Sequence, residues 1–205
     1  GSYNVLLGGK AGDSLTTGSQ NIAIGYEALQ YEDTDGKNVA IGHQALNSLR
    51  AGEDGYNVAI GHNAGVTMST GIHNTLIGGL AGYAINTGEQ NVLIGAEAGD
   101  ALTSGGYNVA VGFRALSTEN AHGTNVAIGK SALQNLDAGA NAFNVAIGYD
   151  AGLSMTTGLR NTLIGGNAGD AITIGVDSVA VGHNALSALT IGHNNVAIGK
   201  DALAT

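Results

Sequence analysis

The chain of 205 residues contains no cysteine and no proline, and only seven of its residues are lysine or arginine. Each absence removes a class of protein. Without cysteine there is no disulfide framework and no thiolate metal centre. Without proline a disordered Pro-rich linker is excluded, and nothing interrupts a continuous strand ladder. Charged residues make up only 11% and the formal net charge is −9, so this is not a charge-solubilised disordered chain. An acidic chain with no basic stripe repels phosphate backbones, so no nucleic-acid partner is expected. No run of about 18 apolar residues is present, so no membrane insertion is expected, and no signal-peptide pattern is present. Glycine, in contrast, is abundant at 35 residues, without the Gly-X-Y triplet of collagen.

What fills the chain is a repeat. Asn-Val-Ala-Ile-Gly and its variants start at Asn4, Asn21, Asn38, Asn57, Asn74, Asn91, Asn108, Asn125, Asn144, Asn161, Ser178 and Asn195. Nine of the eleven steps are 17 residues, and the two from Asn38 and Asn125 are 19. A period this short is one coil of a solenoid rather than a domain. The fold class is therefore all-β: a single parallel β-solenoid of about twelve coils spanning 1–205. At roughly 4.8 Å per coil it makes a rod about 58 Å long. Gly1-Ser2-Tyr3 already sits in the last columns of a coil and Thr205 stops in mid-coil, so the chain reads as a segment of a longer fibre.

Numbering each coil from its Asn exposes the columns. Columns two to four read as a short strand of Val, Ala or Leu, and Ile. Column five is always Gly and column eight always Ala. The strand is apolar on both faces, so both are expected to be covered: one by the core and the other, carrying column three, by a neighbouring chain. Columns three and nine exchange size. Every coil with Leu in column three has Gly in column nine, and every coil with Leu in column nine has Ala in column three, as if both filled one space. Two coils are small in both columns (Ala59 with Gly65, Ala146 with Gly152), and these carry the only methionines, Met68 and Met155, as gap-fillers. The leading Asn is expected to stack as an amide ladder. The fifth-column Gly is expected at a positive φ or a close backbone approach. A second period of 87 residues relates Asn57–Gly88 to Asn144–Gly175 and superposes the two 19-residue coils, whose insertions are expected to bulge outward.

Asn144-Val145-Ala146-Ile147-Gly148, followed by Ala151, is similar to the Ser-Val-Ala-Ile-Gly repeats of the YadA-like heads of trimeric autotransporter adhesins. The run Asn161 to Gly169, with its Thr-Thr-Gly corners, also resembles repeats of phage and bacterial tail-fibre-type proteins. The resemblance covers the whole chain, although the adhesin coil is shorter. It implies a left-handed β-roll, a homotrimeric rod, an extracellular, cell-surface or virion-tail location, and no catalytic residues to carry over.

Chemistry-bearing residues fall into columns. His43 and His62 share column six in adjacent coils and should stack about 5 Å apart, which could hold a metal but equally suits an exposed turn column. Asp13, Asp100 and Asp170 share column ten and read as solvated turn carboxylates rather than calcium ligands. Gly8-Gly9-Lys10 lacks the spacing of a phosphate loop. No catalytic residue, cofactor or metal ligand is assigned, and the chain is read as no enzyme. Column six and the last column gather the aromatics, so the candidate binding stripe is Tyr26, His43, Tyr56, His62, Tyr107, Phe113 and Tyr149, suited to stacking on a host-cell glycan or a protein receptor. The expected function is a structural and adhesive fibre segment. The alternatives are a monomeric ice-binding solenoid, from the broken row Thr17, Thr34, Thr70, Thr87 and Thr157, and a trimeric β-helix acyltransferase, whose six-residue sub-period is missing.

Overall fold

In a computed structural model, which describes residues 1–34 and 36–204, the chain is a β-solenoid. Twelve three-residue strands, the first Val5–Leu7 and the last Val196–Ile198, form one parallel sheet in sequence order. The register never slips: Val109 pairs with Val126, Ala110 with Ala127 and Val111 with Ile128, so every column becomes a straight row. Eleven gaps of ~4.8 Å give a rod roughly 53 Å long.

Each coil turns by two successive tight turns. In the first coil Ala11 N–H donates to Gly8 O and Leu15 N–H to Gly12 O, at 3.3 and 3.1 Å. Residues of columns seven and nine and the last residue before each new coil all adopt a positive φ, whatever their identity: Glu97 56°, Leu116 55°, Tyr107 61°. Only column five must be glycine, for two reasons at once. Gly112 has a φ of 139°, and a Cβ added there would lie 2.4 Å from the carbonyl oxygen of Gly129 in the next coil. The same crowding recurs along the row at Gly25, Gly61, Gly95 and Gly165.

The core is a thin file of side chains from columns three, eight, nine and twelve. The size exchange has a direct cause. A Cβ on Gly99 would meet both Cδ atoms of Leu93 in its own coil at 2.9 Å, and one on Gly169 would meet Leu163 Cδ2 at 2.9 Å. In the two coils small in both columns, Gly65 faces Leu76 and Leu46, and Gly152 faces Leu133 and Leu163, of the neighbouring coils. Met68 and Met155 are fully buried beside these glycines, as the packing argument expected.

One expectation is corrected. Column three does not face a neighbouring chain: Ala23, Ala59, Leu76, Leu93, Ala110 and Leu163 are fully buried inside the coil. Columns two and four, the β-branched ones, point outward and are half-buried. A three-residue strand has one inward position, and a coil this narrow accommodates only Ala or Leu there. The strand is still apolar on both faces, but the uncovered face is the Val/Ile one.

The Asn column forms the expected ladder. The Oδ1 of Asn74 accepts the N–H of Asn91 and the Oδ1 of Asn91 that of Asn108, each at 3.0 Å, and the row runs unbroken from Asn4 to Ser178 and Asn195. In the 17-residue coils the amide also ties its own coil shut, as Asn91 Nδ2 does to Gly105 O at 2.9 Å, whereas in the two longer coils Asn38 and Asn125 donate back to Gly36 O and Gly123 O. The two insertions bulge outward as exposed loops around Glu53–Asp54 and Gly139–Asn141.

Candidate functional site

The outward face of the sheet is a band of paired Val and Ile side chains, interrupted by Thr75 and Thr162. Two rows of side chains flank it, one at each end of the strands. The row beyond column five stacks Tyr26 on His43 (ring centroids 5.6 Å apart) and His43 on His62 (5.2 Å). Lys10 lies over Tyr26, Lys130 over Tyr149 and Arg114 over Phe113. The row before column one stacks Tyr56 on His73 at 5.4 Å, with Lys37 over Tyr56. Lys37 also pairs with Asp54 of the first insertion at 2.5 Å, which pushes its pKa up to about 12.

The candidate stripe is therefore two stripes. Tyr26, His43, His62, Phe113 and Tyr149 belong to one edge of the band, and Tyr56 and Tyr107 to the other, separated by the strand itself. Tyr26, Tyr56, Tyr107, Phe113 and Tyr149 are exposed, as a binding role requires. The His43 and His62 rings lie nearly parallel, 19° apart. Their nitrogen lone pairs lie in the ring planes and so do not converge on one ion. Asp13, Asp100 and Asp170 lie four or five coils apart, on the order of 20 Å, and do not converge either. Asp100 and Asp170 are less solvated than expected: one oxygen of each is buried without a hydrogen-bond partner, and burial raises both pKa values. The threonine row sits in the bend at columns thirteen and fourteen, not on the flat sheet.

A further cluster escaped the sequence reading. Column twelve supplies Leu, Ile or Met to the core, except at Glu32 and Glu119, both fully buried. Each stands one coil before a two-residue insertion, where the coils no longer match. In regular coils the column-thirteen N–H bonds the same column of the next coil, as Thr103 does to Asn120 O at 2.6 Å. Beside the insertions the buried carboxylates take over. Asp33 N–H donates to Glu32 Oε1 at 3.2 Å. Glu119 Oε1 accepts His122 N–H at 3.2 Å and its Oε2 accepts Ala138 N–H at 3.3 Å. Burial pushes the Glu119 carboxyl up, the charge of Asp137 adds to this, and the two N–H groups oppose it. His122 Nδ1 faces the carboxylate at 3.6 Å, too far for a hydrogen bond, and is itself buried without a partner. Glu119, His122 and Asp137 each bring a ligand-capable atom within 4.8 Å of the others. The signal was present in the sequence: an acid in a hydrophobic column, paired with the loss of glycine three residues on.

No protein-family model, curated protein or solved structure matches the chain.

Proposed function

We propose that the chain is a structural and adhesive segment of a homotrimeric fibre, of the kind found in phage tail fibres and bacterial surface adhesins, and that it works outside the cell. The observation that carries this reading is the outward Val/Ile band. It runs the length of the rod, whereas a monomer ordinarily scatters its exposed apolar residues. Copies of the same band laid together remove it from water, and the three-fold number follows from the resemblance of the repeat to trimeric adhesin heads. The two flanking rows of Tyr, His and Lys then border the interface and remain open to a host glycan or surface receptor. No catalytic role is proposed.

The test is absolute mass by light scattering after size exclusion. The proposal expects an elongated particle of about three times 20.3 kDa, and expects a folded triple variant Val92→Lys, Val109→Lys, Val126→Lys to fall to the mass of one chain. A folded wild-type monomer at every concentration would refute it. Adhesion is tested separately: Tyr56→Ser, Tyr107→Ser and Tyr149→Ser together should abolish glycan-array or cell binding while leaving the mass unchanged, and unchanged binding would remove the aromatic rows from the proposal.

A further inference from the structure

From the cluster beneath the second insertion we infer a binding site for a divalent first-row metal ion, held by Glu119, His122 and Asp137. One imidazole nitrogen and two carboxylates are a donor set suited to Zn²⁺ and its neighbours. The spacing fits. Two ligands at ordinary zinc distances and a tetrahedral angle lie about 3.4 Å apart, and His122 Nδ1 lies 3.6 Å from Glu119 Oε1. That nitrogen is buried and makes no hydrogen bond, so it points into the cluster with its bonding capacity unused.

The ligands are also held in place by what surrounds them. Both oxygens of Glu119 are fixed by backbone N–H groups, one from its own coil and one from the next. The backbone of His122 is held by the Asn ladder, through Asn108 Nδ2 to its carbonyl at 3.3 Å. Asp137 is held by its N–H to Thr156 O at 2.8 Å. Ligands anchored on stacked coils reach one point without a large ordering cost. His122 and Asp137 reach the surface, which gives an ion an entry route and leaves its remaining positions to water.

The 87-residue duplication sharpens the inference. The positions equivalent to Glu119, His122 and Asp137 are Glu32, Asp35 and Arg50; Asp35 lies outside the described residues. The first block therefore has its own cation, Arg50, where the second has a carboxylate. Arg50 is anchored locally, its Nε donating to Tyr31 O at 3.2 Å. In the second block two carboxylates converge, one of them fully buried, with an imidazole as the third member. A bound cation there supplies a positive charge at the position where the first block carries Arg50.

The experiment titrates the full chain with Zn²⁺ by calorimetry and with Co²⁺ by visible absorption. Expected is one ion per chain, at least tenfold weaker binding in His122→Gly and in Asp137→Asn, and unchanged binding in His43→Asn/His62→Asn. His122→Gly restores the glycine that Gly71, Gly88, Gly105 and Gly158 carry at the same column, and Asp137→Asn is isosteric at an exposed position, so both should fold, checked by circular dichroism. No binding at 1 mM ion (a ceiling of about −4 kcal/mol), binding unaffected by both variants, or loss in the His43/His62 variant would each overturn the assignment.

Discussion

Replacing Gly112 by alanine tests why one column of the repeat never varies. Its φ of 139° is a region L-residues avoid, and the new Cβ would lie 2.4 Å from Gly129 O and 2.6 Å from its carbonyl carbon. Both contacts are backbone, so no side chain can swing away; the coils must separate, loosening the bond from Gly129 N–H to Val111 O, now 2.7 Å. Strained φ costs about 1–3 kcal/mol, forced repacking about 1–3 and a weakened hydrogen bond about 1. Together these suggest roughly 3–7 kcal/mol, a large part of the ~5–15 kcal/mol that holds an ordinary domain. For a chain of this length that is on the order of 10 °C in Tm. Gly79→Ala is the control: nothing lies within 4 Å of its added Cβ, and it should stay within about 0.5 kcal/mol of wild type. Gly199→Ala separates the contributions, since no coil lies against it and only the φ of 121° remains. Urea unfolding followed by circular dichroism measures all three. A Gly112→Ala variant within about 1 kcal/mol of wild type, the size of an ordinary substitution effect, would refute the reasoning.

The Asn ladder and the column-ten acids give two further outcomes. Asn91→Ala leaves Asn108 N–H and Gly105 O without their partners in a buried row and should cost about 2–4 kcal/mol, read by urea unfolding. Asn91→Ser should cost less, because Ser178 holds that row natively, its Oγ accepting Asn195 N–H at 3.3 Å; equal losses would contradict the ladder. Asp100 and Asp170 have pKa values raised above the ordinary 3.8, chiefly by burial, so the folded chain binds protons there more tightly than the unfolded one. Their contribution to stability therefore falls as pH rises above about 4. Asp100→Asn should raise the Tm at pH 7 and reduce its decline as the pH rises above about 4. An unchanged decline would sink that assignment.

Much of the fold was legible because a solenoid repeats its own constraints twelve times over. The register, the glycine column and the Asn ladder follow from the period, and the Gly-for-Leu exchange ties columns three and nine to one space. It does not say that this space is the inside of the coil, and the expectation that column three meets a neighbouring chain was wrong. The larger Val and Ile are no guide to it, because β-branched residues suit a strand whichever way they face. The positive φ at Glu97, Leu116 and Tyr107 left no signal, since those columns accept almost any residue and only close approach by the next coil forces glycine. The two aromatic rows were legible too, since column six follows the strand and the last column precedes it; grouping them as one stripe overlooked the strand between them. Glu119 and His122 were legible in principle, as an acid in a column of Leu, Ile and Met and a break in a glycine column. Each is an isolated departure within its column, a weaker signal than the stacked pair His43 and His62.

The most direct test of the account is thiol labelling, in a chain that has no cysteine of its own. Single variants Val109→Cys, Ala110→Cys and Val111→Cys, with Ser104→Cys as an exposed standard, are labelled under native conditions over a range of protein concentration. The account predicts that Ala110→Cys stays protected throughout. Val109→Cys and Val111→Cys should label like Ser104→Cys when the protein is dilute and become protected as the mass rises to that of three chains. Rapid labelling at Ala110 with protection at Val109 and Val111 in the dilute chain would reverse the two faces of the strand and contradict it.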